Sequence, residues 1–167
     1  MISTRDDTDG MREIYLAGGC FWGLEKYLGL IRGVESTEAG YANGDSADTD
    51  YASVCSGSGH AEAVKVVYDE TVLPLRRLLD IFYRGIDPFS VNRQGNDVGL
   101  QYRTGVYYTD PDDGGTVADS LARLSASLGG EVAVEHGPLK NWCRAEEAHQ
   151  DYLSKNPRSE EHTSELQ

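Results

Sequence analysis

The chain is short of cysteine, of positive charge and of long apolar runs, and each shortage excludes something. Its three cysteines, Cys20, Cys55 and Cys143, include no Cys-x-x-Cys pair. That pattern argues against a disulfide framework or a zinc site and leaves room for a reactive thiol. Lysine and arginine number 15 against 28 aspartates and glutamates, for a net charge of −13. A surface of that sign repels phosphate backbones, so no nucleic-acid partner is expected. No apolar run reaches the length of a membrane span, and no basic start followed by an apolar core marks a signal peptide. A cytoplasmic protein that acts as a monomer, with no metal, is the expectation. At 167 residues the chain is long enough for one domain with one core.

What is present is organised around Ala17-Gly18-Gly19-Cys20-Phe21-Trp22-Gly23. The period-two stretch 13–17 predicts a strand, and the amphipathic stretch 24–31 predicts a helix ending near Gly33. Cys20 therefore falls at a strand-to-helix turn, where the free N–H groups and partial positive charge of a helix start are expected to lower its pKa. Gly18 and Gly19 allow a tight turn and leave the sulfur uncovered.

Residues 1–11 are polar, acidic and aperiodic, which predicts a disordered end. Further strands are predicted over 34–41, 60–68, 102–108 and 131–135, and helices from Leu73-Pro74, over 115–128 and over 145–153. Two long loops, 42–59 and 85–101, are rich in turn residues and hydrogen-bonding groups, as functional loops often are. Strand, helix, strand, strand, helix, strand is the order of a split βαβ unit, so the expected fold is α+β, a ferredoxin-like two-layer sandwich spanning 12–157. The last ten residues, 158–167, read like the translation of a sequencing-adapter oligonucleotide and are treated as a non-native tail.

Three distant segments bring unusual polar groups to strand ends or loops: a nucleophile at Cys20, a carboxyl at Glu62, and the acid Asp97 near Tyr102. His60 and Glu62, two apart on a strand, are expected to share one face. A thiol hydrolase with His60 as base, and a small binding module without catalysis, are the rival readings.

Gly-Cys-Phe-Trp-Gly at 19–23, Gly-His-Ala-Glu at 59–62, Asn-Arg-Gln-Gly-Asn-Asp at 92–97, Gln-Tyr-Arg at 101–103 and Ala-Glu-Glu-Ala-His-Gln at 145–150 resemble the A-type peptide methionine sulfoxide reductases. The similarity runs in order from Glu13 to Pro157. It implies reduction of methionine S-sulfoxide, free or in oxidised peptides and proteins, with Cys20 as nucleophile and no bound cofactor. The chemistry suits the residues. A thiolate can attack an electrophilic sulfoxide sulfur, and Glu62 can protonate the departing oxygen if burial keeps it neutral. The resemblance gives Tyr51 and Tyr102 the role of donors to that oxygen, Asp97 a place in the site, and Phe21 and Trp22 the apolar wall that receives the methyl group. His60 and His149 are read as structural histidines.

The sequence also departs from the family pattern. Ile86 stands where a histidine is usual, and Cys143 stands where an aromatic is common. The family commonly continues past Lys-Asn-Pro into a glycine-rich tail with a resolving cysteine, whereas here the adapter-like residues follow Pro157. A sulfenic acid at Cys20 needs a second thiol. Cys143 is the possible internal resolving residue, and Cys55 is read as structural. Otherwise an external thiol, a thioredoxin-type protein or dithiothreitol, must act on Cys20 directly.

Overall fold

The computed structural model describes residues 10–156. Residues 1–9, most of the expected disordered end, and the tail 158–167 lie outside the described residues. The first strand, β1 (Met11–Ala17), begins inside the stretch read as disordered, because Met11 pairs with Asp69. It leads through a Gly18-Gly19 turn into α1 (Phe21–Gly29). Then follow β2 (Val34–Ala42), α2 (Tyr51–Cys55), β3 (Ala61–Asp69) and α3 (Leu75–Arg84). A small hairpin, β4 (Arg93–Gln94) and β5 (Asp97–Val98), precedes β6 (Gly105–Tyr108) and α4 (Asp113–Leu128). The chain closes with β7 (Glu135–Pro138), β8 (Trp142–Arg144) and α5 (Tyr152–Lys155).

Six strands form one mixed sheet in the order β7-β6-β1-β3-β2-β8. All neighbours are antiparallel except β6 and β7. The period-two alternation sends Ile14 and Leu16 of β1, with Val64 and Val66 of β3, into the main core under Leu24 and Leu28 of α1 and Leu78, Leu79 and Phe82 of α3. Tyr15, Ala17, Ala61 and Ala63 point the other way, where Trp142 and Leu139 cover them. Burial of those apolar side chains, about 25 cal/mol per Å² removed from water, is the main force holding the helices to the sheet.

Several expected boundaries move. The helix after Cys20 starts at Phe21 rather than Leu24. The predicted strand 131–135 lies four residues later, over Glu135–Pro138, because β7 must run alongside β6, with Gly105 opposite Glu135. The predicted helix 145–153 is replaced by a single 3-10 turn, Glu147–His149, and the short α5. A continuous helix loses there to the buried Gln150 side chain. Its amide accepts from the Ala39 N–H at 2.8 Å and donates to the Ala39 and Ala145 carbonyls, each at 2.9 Å, tying this segment to β2. Three residues, Trp142–Arg144, are too few to show alternation, so β8 carries no periodic signal.

Candidate active site

The turn that presents Cys20 is built by glycine. Gly19 has φ +84°, which side chains rarely adopt, and a Cβ there would lie 2.7 Å from Cβ of Gln94. Cys20 then takes an extended conformation, φ −62° and ψ 127°, as the N-cap of α1. The backbone amides of Trp22 and Gly23 turn toward its sulfur.

Those amides do not win. Burial of the half-exposed thiol, reinforced by the nearby Glu62 and Asp97 carboxyls, pushes the Cys20 pKa up to about 12. The expected lowering at a helix start is therefore overturned for the free enzyme: two amide dipoles oppose desolvation and two acids, and the thiol keeps its proton.

Glu62 lies on β3 opposite Tyr41 of β2, on the face that carries Val64 and Val66, and is 1% exposed. Its Oε1 accepts the Phe21 N–H at 3.1 Å, which fixes the carboxyl beneath the start of α1. Burial pushes its pKa up to about 8, the Phe21 amide pulling it down and Asp97 adding to the rise. Glu62 is thus a neutral acid at pH 7.

Asp97 reaches the same place from the hairpin β4–β5, where it pairs with Gln94. Gln94 in turn anchors the hairpin. Its amide nitrogen donates to the Asp87 carbonyl and to Thr104 Oγ1, both at 2.9 Å, while its oxygen accepts the Asp87 N–H at 2.9 Å. Burial raises the Asp97 pKa, against the pull of the Cys20 amide. Tyr51 begins α2, held by its N–H donating to Glu146 at 2.9 Å, and Tyr102 ends the 3-10 turn Leu100–Tyr102. Burial raises the pKa of both hydroxyls, Tyr51 to about 12, with Glu62 and Cys20 among the neighbours contributing in each case. The structure thus brings Cys20, Glu62, Asp97, Tyr51 and Tyr102 within each other's electrostatic reach.

The two aromatics after Cys20 part company. Phe21 is 1% exposed and packs on Tyr41 and His149. Trp22 is half-buried, stacked on Tyr152 with ring centroids 3.7 Å apart, and its Nε1–H donates to His149 Nδ1 at 3.0 Å. His149 also faces the Tyr51 ring at 4.9 Å, so it links the indole to the phenol.

His60 immediately precedes β3, and the 46–58 loop holds its ring, whose nitrogens bond Ser58 Oγ and the Ser46 carbonyl, both at 2.7 Å. With both nitrogens engaged it offers no base to Cys20, and the hydrolase alternative loses its catalytic pair. Cys55, read as structural, is exposed on the same helix as Tyr51, with its thiol within hydrogen-bonding reach of the Tyr51 hydroxyl. Cys143 lies on β8, where its backbone pairs with Tyr41 and its Sγ contacts the Thr49 carbonyl at 3.4 Å.

Arg103 carries no local sequence signal, being a lone arginine after a tyrosine, yet the fold gives it a central place. Its guanidinium donates to the carbonyls of Gly59 (3.0 Å), Leu100 (3.1 Å) and Asn43 (3.2 Å) and to Glu135 (3.1 Å). One planar fork thereby pins the segments carrying Glu62 and Tyr102 to the start of the loop that leads to Tyr51, a task for which lysine lacks the geometry.

A half-buried thiol at a helix start, beside a neutral buried carboxyl and two phenols, is a set of groups suited to acid-assisted chemistry at a thiol. A sequence model of the family described as peptide methionine sulfoxide reductase matches residues 12–167, and the chain belongs to that family. It is 50% identical over 147 residues to peptide methionine sulfoxide reductase MsrA of Lachnoclostridium phytofermentans, covering 87% of this chain and 89% of that one. Reduced Mxr1 from Saccharomyces cerevisiae superposes with a TM-score of 0.85 at 36% identity, covering 89% of this chain and 87% of that one. Mxr1 in complex with Trx2 matches with a TM-score of 0.61 at 27% identity, over 86% and 85% of the two chains. The protein is accordingly an oxidoreductase that reduces methionine sulfoxide at the expense of thiols. Among the described residues no helix is long and apolar enough to cross a membrane, and no group of three His, Cys, Asp or Glu residues is arranged to hold a metal ion.

Proposed function

We propose that residues 12–157 form a single catalytic domain that reduces the S epimer of methionine sulfoxide, free or in oxidised proteins, through a sulfenic acid at Cys20. The observation that carries this reading is the neutral Glu62 carboxyl, held by the Phe21 amide beside the Cys20 thiol. Glu62 gives its proton to the sulfoxide oxygen, and the Tyr51 and Tyr102 hydroxyls donate to the same oxygen as charge gathers on it. The Cys20 sulfur attacks the sulfoxide sulfur, and its proton passes to the emptied Glu62 carboxylate. One S–O bond breaks on the substrate and one forms on Cys20, so methionine is reduced and Cys20 oxidised by the same two electrons. Trp22, on the framework of Phe21 and His149, supplies the apolar wall for the methyl group. Asp97 keeps the Cys20 amide in place.

A split βαβ plan fits this role: β1, α1, β2, β3, α3 and β6 follow its order, with β7 and β8 added at the two edges. No cofactor is assigned. The regenerating thiol is read as a thioredoxin-type protein, with dithiothreitol as a laboratory substitute; the Mxr1–Trx2 complex supports this partner. The three unpaired cysteines fit a reducing cytoplasmic setting and a monomer.

The pH dependence of the sulfoxide step tests the acid. Its single-turnover rate should be level below pH 7 and fall as the pH rises through about 8, where Glu62 loses the proton it must donate. A rate that climbs through that range would mean thiolate formation governs the step, and would remove Glu62 as the acid.

A further inference from the structure

Cys20 opens onto a cleft of about 500 Å³ lined by Gly18, Tyr27, Arg84, Ile86, Gln94 and Asp97 among others. Glu62, Tyr51, Tyr102 and Trp22, the groups that handle the sulfoxide oxygen and methyl, are not in its wall. In the reading above the acid and phenols stand on the oxygen side of the sulfur, so this cleft is a second approach to it. We propose that the cleft is the port through which a reducing thiol reaches oxidised Cys20. The inference rests on the sulfenic acid reading above.

The chemistry requires separate approaches. A thiol that regenerates Cys20 attacks its sulfur in line with the S–O bond, entering on the side away from the leaving oxygen. That oxygen arrives with the substrate and lies among Glu62, Tyr51 and Tyr102. The incoming R–S⁻ forms an S–S bond to Cys20 as the S–O bond breaks, and the departing hydroxide takes the Glu62 proton and leaves as water. A second thiol then attacks the R sulfur, giving RSSR and restoring Cys20. Across both attacks two thiols supply two electrons and two protons, one of which returns to Glu62.

The lining suits a thiol. Arg84, exposed in the last turn of α3, sets a positive charge in a lining that also carries the Asp87 and Asp97 carboxyls, and draws an anionic nucleophile to its own side of the mouth. Ile86 and the Tyr27 ring give an apolar wall for an alkyl chain, and the tyrosine is held in place by its hydroxyl donating to the Ile81 carbonyl at 2.6 Å. Ile86 packs on the main core and lies against Gly18, so close that a Cβ on Gly18 would be 2.7 Å from it. The volume admits a small dithiol or a cysteine side chain with its neighbouring backbone.

The test uses Arg84→Glu, a surface change, and Ile86→Trp, which fills the cleft. Neither residue belongs to the sulfoxide-reducing machinery. Single-turnover loss of the Cys20 thiol with one equivalent of sulfoxide should stay within about twofold of the parent, whereas regeneration by dithiothreitol should slow by about fivefold or more. For Arg84→Glu, the ratio of regeneration rates with 2-mercaptoethanesulfonate and with cysteamine should fall by about tenfold, since the charge at the mouth is reversed. A parallel assay with thioredoxin separates the sources: slowing in both assays assigns the port to protein cysteines as well, and slowing with small thiols alone assigns it to those. Regeneration at parental rates with every thiol in both variants, or a loss confined to the sulfoxide step, would overturn the port. A parent protein that forms no sulfenic acid at Cys20 would instead overturn the reading on which it rests.

Discussion

Serine in place of Cys20 abolishes methionine sulfoxide reduction, by about 10⁴-fold or more, the scale set by removing a covalent nucleophile. The reason lies in ionisation and softness together. Even with its pKa pushed up to about 12, the Cys20 thiol yields its proton to a carboxylate far more readily than a serine hydroxyl does, and sulfur is the better nucleophile toward sulfur. The side chains are nearly isosteric, and serine is a favoured N-cap that can accept the same Trp22 and Gly23 amides, so the variant should melt within about 1 kcal/mol of the parent. A steady-state assay on a variant with unchanged circular dichroism checks both halves. Turnover above background would transfer the chemistry to Cys55 or Cys143.

Glu62→Gln lowers the sulfoxide step by about 10²- to 10⁴-fold, the usual reach of general acid catalysis. Glutamine preserves the shape and can still accept the Phe21 N–H, so the loss isolates the proton. The same substitution should remove the fall in rate through pH 8, because the group that titrates there is gone. Stopped-flow measurement of Cys20 thiol loss, with one equivalent of sulfoxide, reports the step without interference from regeneration. An unchanged rate would hand the proton to a tyrosine or to a tyrosine-bound water.

Much of this architecture was legible because it repeats. The alternation of Ile14 and Leu16 against Tyr15 and Ala17 marks β1 within five residues, and Leu75, Leu78, Leu79 and Phe82 mark α3. What escaped notice depends on partners that no local pattern encodes. The segment 145–153 reads as a helix until Gln150 finds the Ala39 backbone 111 positions away. His60 reads as a possible base for Cys20 until Ser46 and Ser58 engage both its ring nitrogens.

In the site, the residue identities were readable but the electrostatics were read only in part. The sequence shows the helix start at Cys20 but not the two carboxyls that the fold brings beside it, so the direction of the Cys20 shift is not legible locally, whereas that of the strand-borne Glu62 is. The consequence is mechanistic. In the proposed mechanism the free enzyme holds a protonated thiol and a protonated acid, a pair inert until a sulfoxide oxygen accepts the Glu62 proton and frees the carboxylate to take the one on sulfur.

One measurement bears most directly on this account: the fate of the Cys20 sulfur after the reduced protein meets a single equivalent of methionine S-sulfoxide, read by sulfenic acid trapping and peptide mass spectrometry. The expected result is one equivalent of methionine and one trapped oxygen on Cys20, with Cys55 and Cys143 still thiols. Cys143 is held in β8 by backbone pairing to Tyr41, with its Sγ on the Thr49 carbonyl at 3.4 Å, whereas a disulfide demands Cα atoms within roughly 7 Å of each other. A Cys20–Cys143 disulfide would make Cys143 the resolving residue. Methionine formed while Cys20 remains an unmodified thiol would contradict the account at its centre.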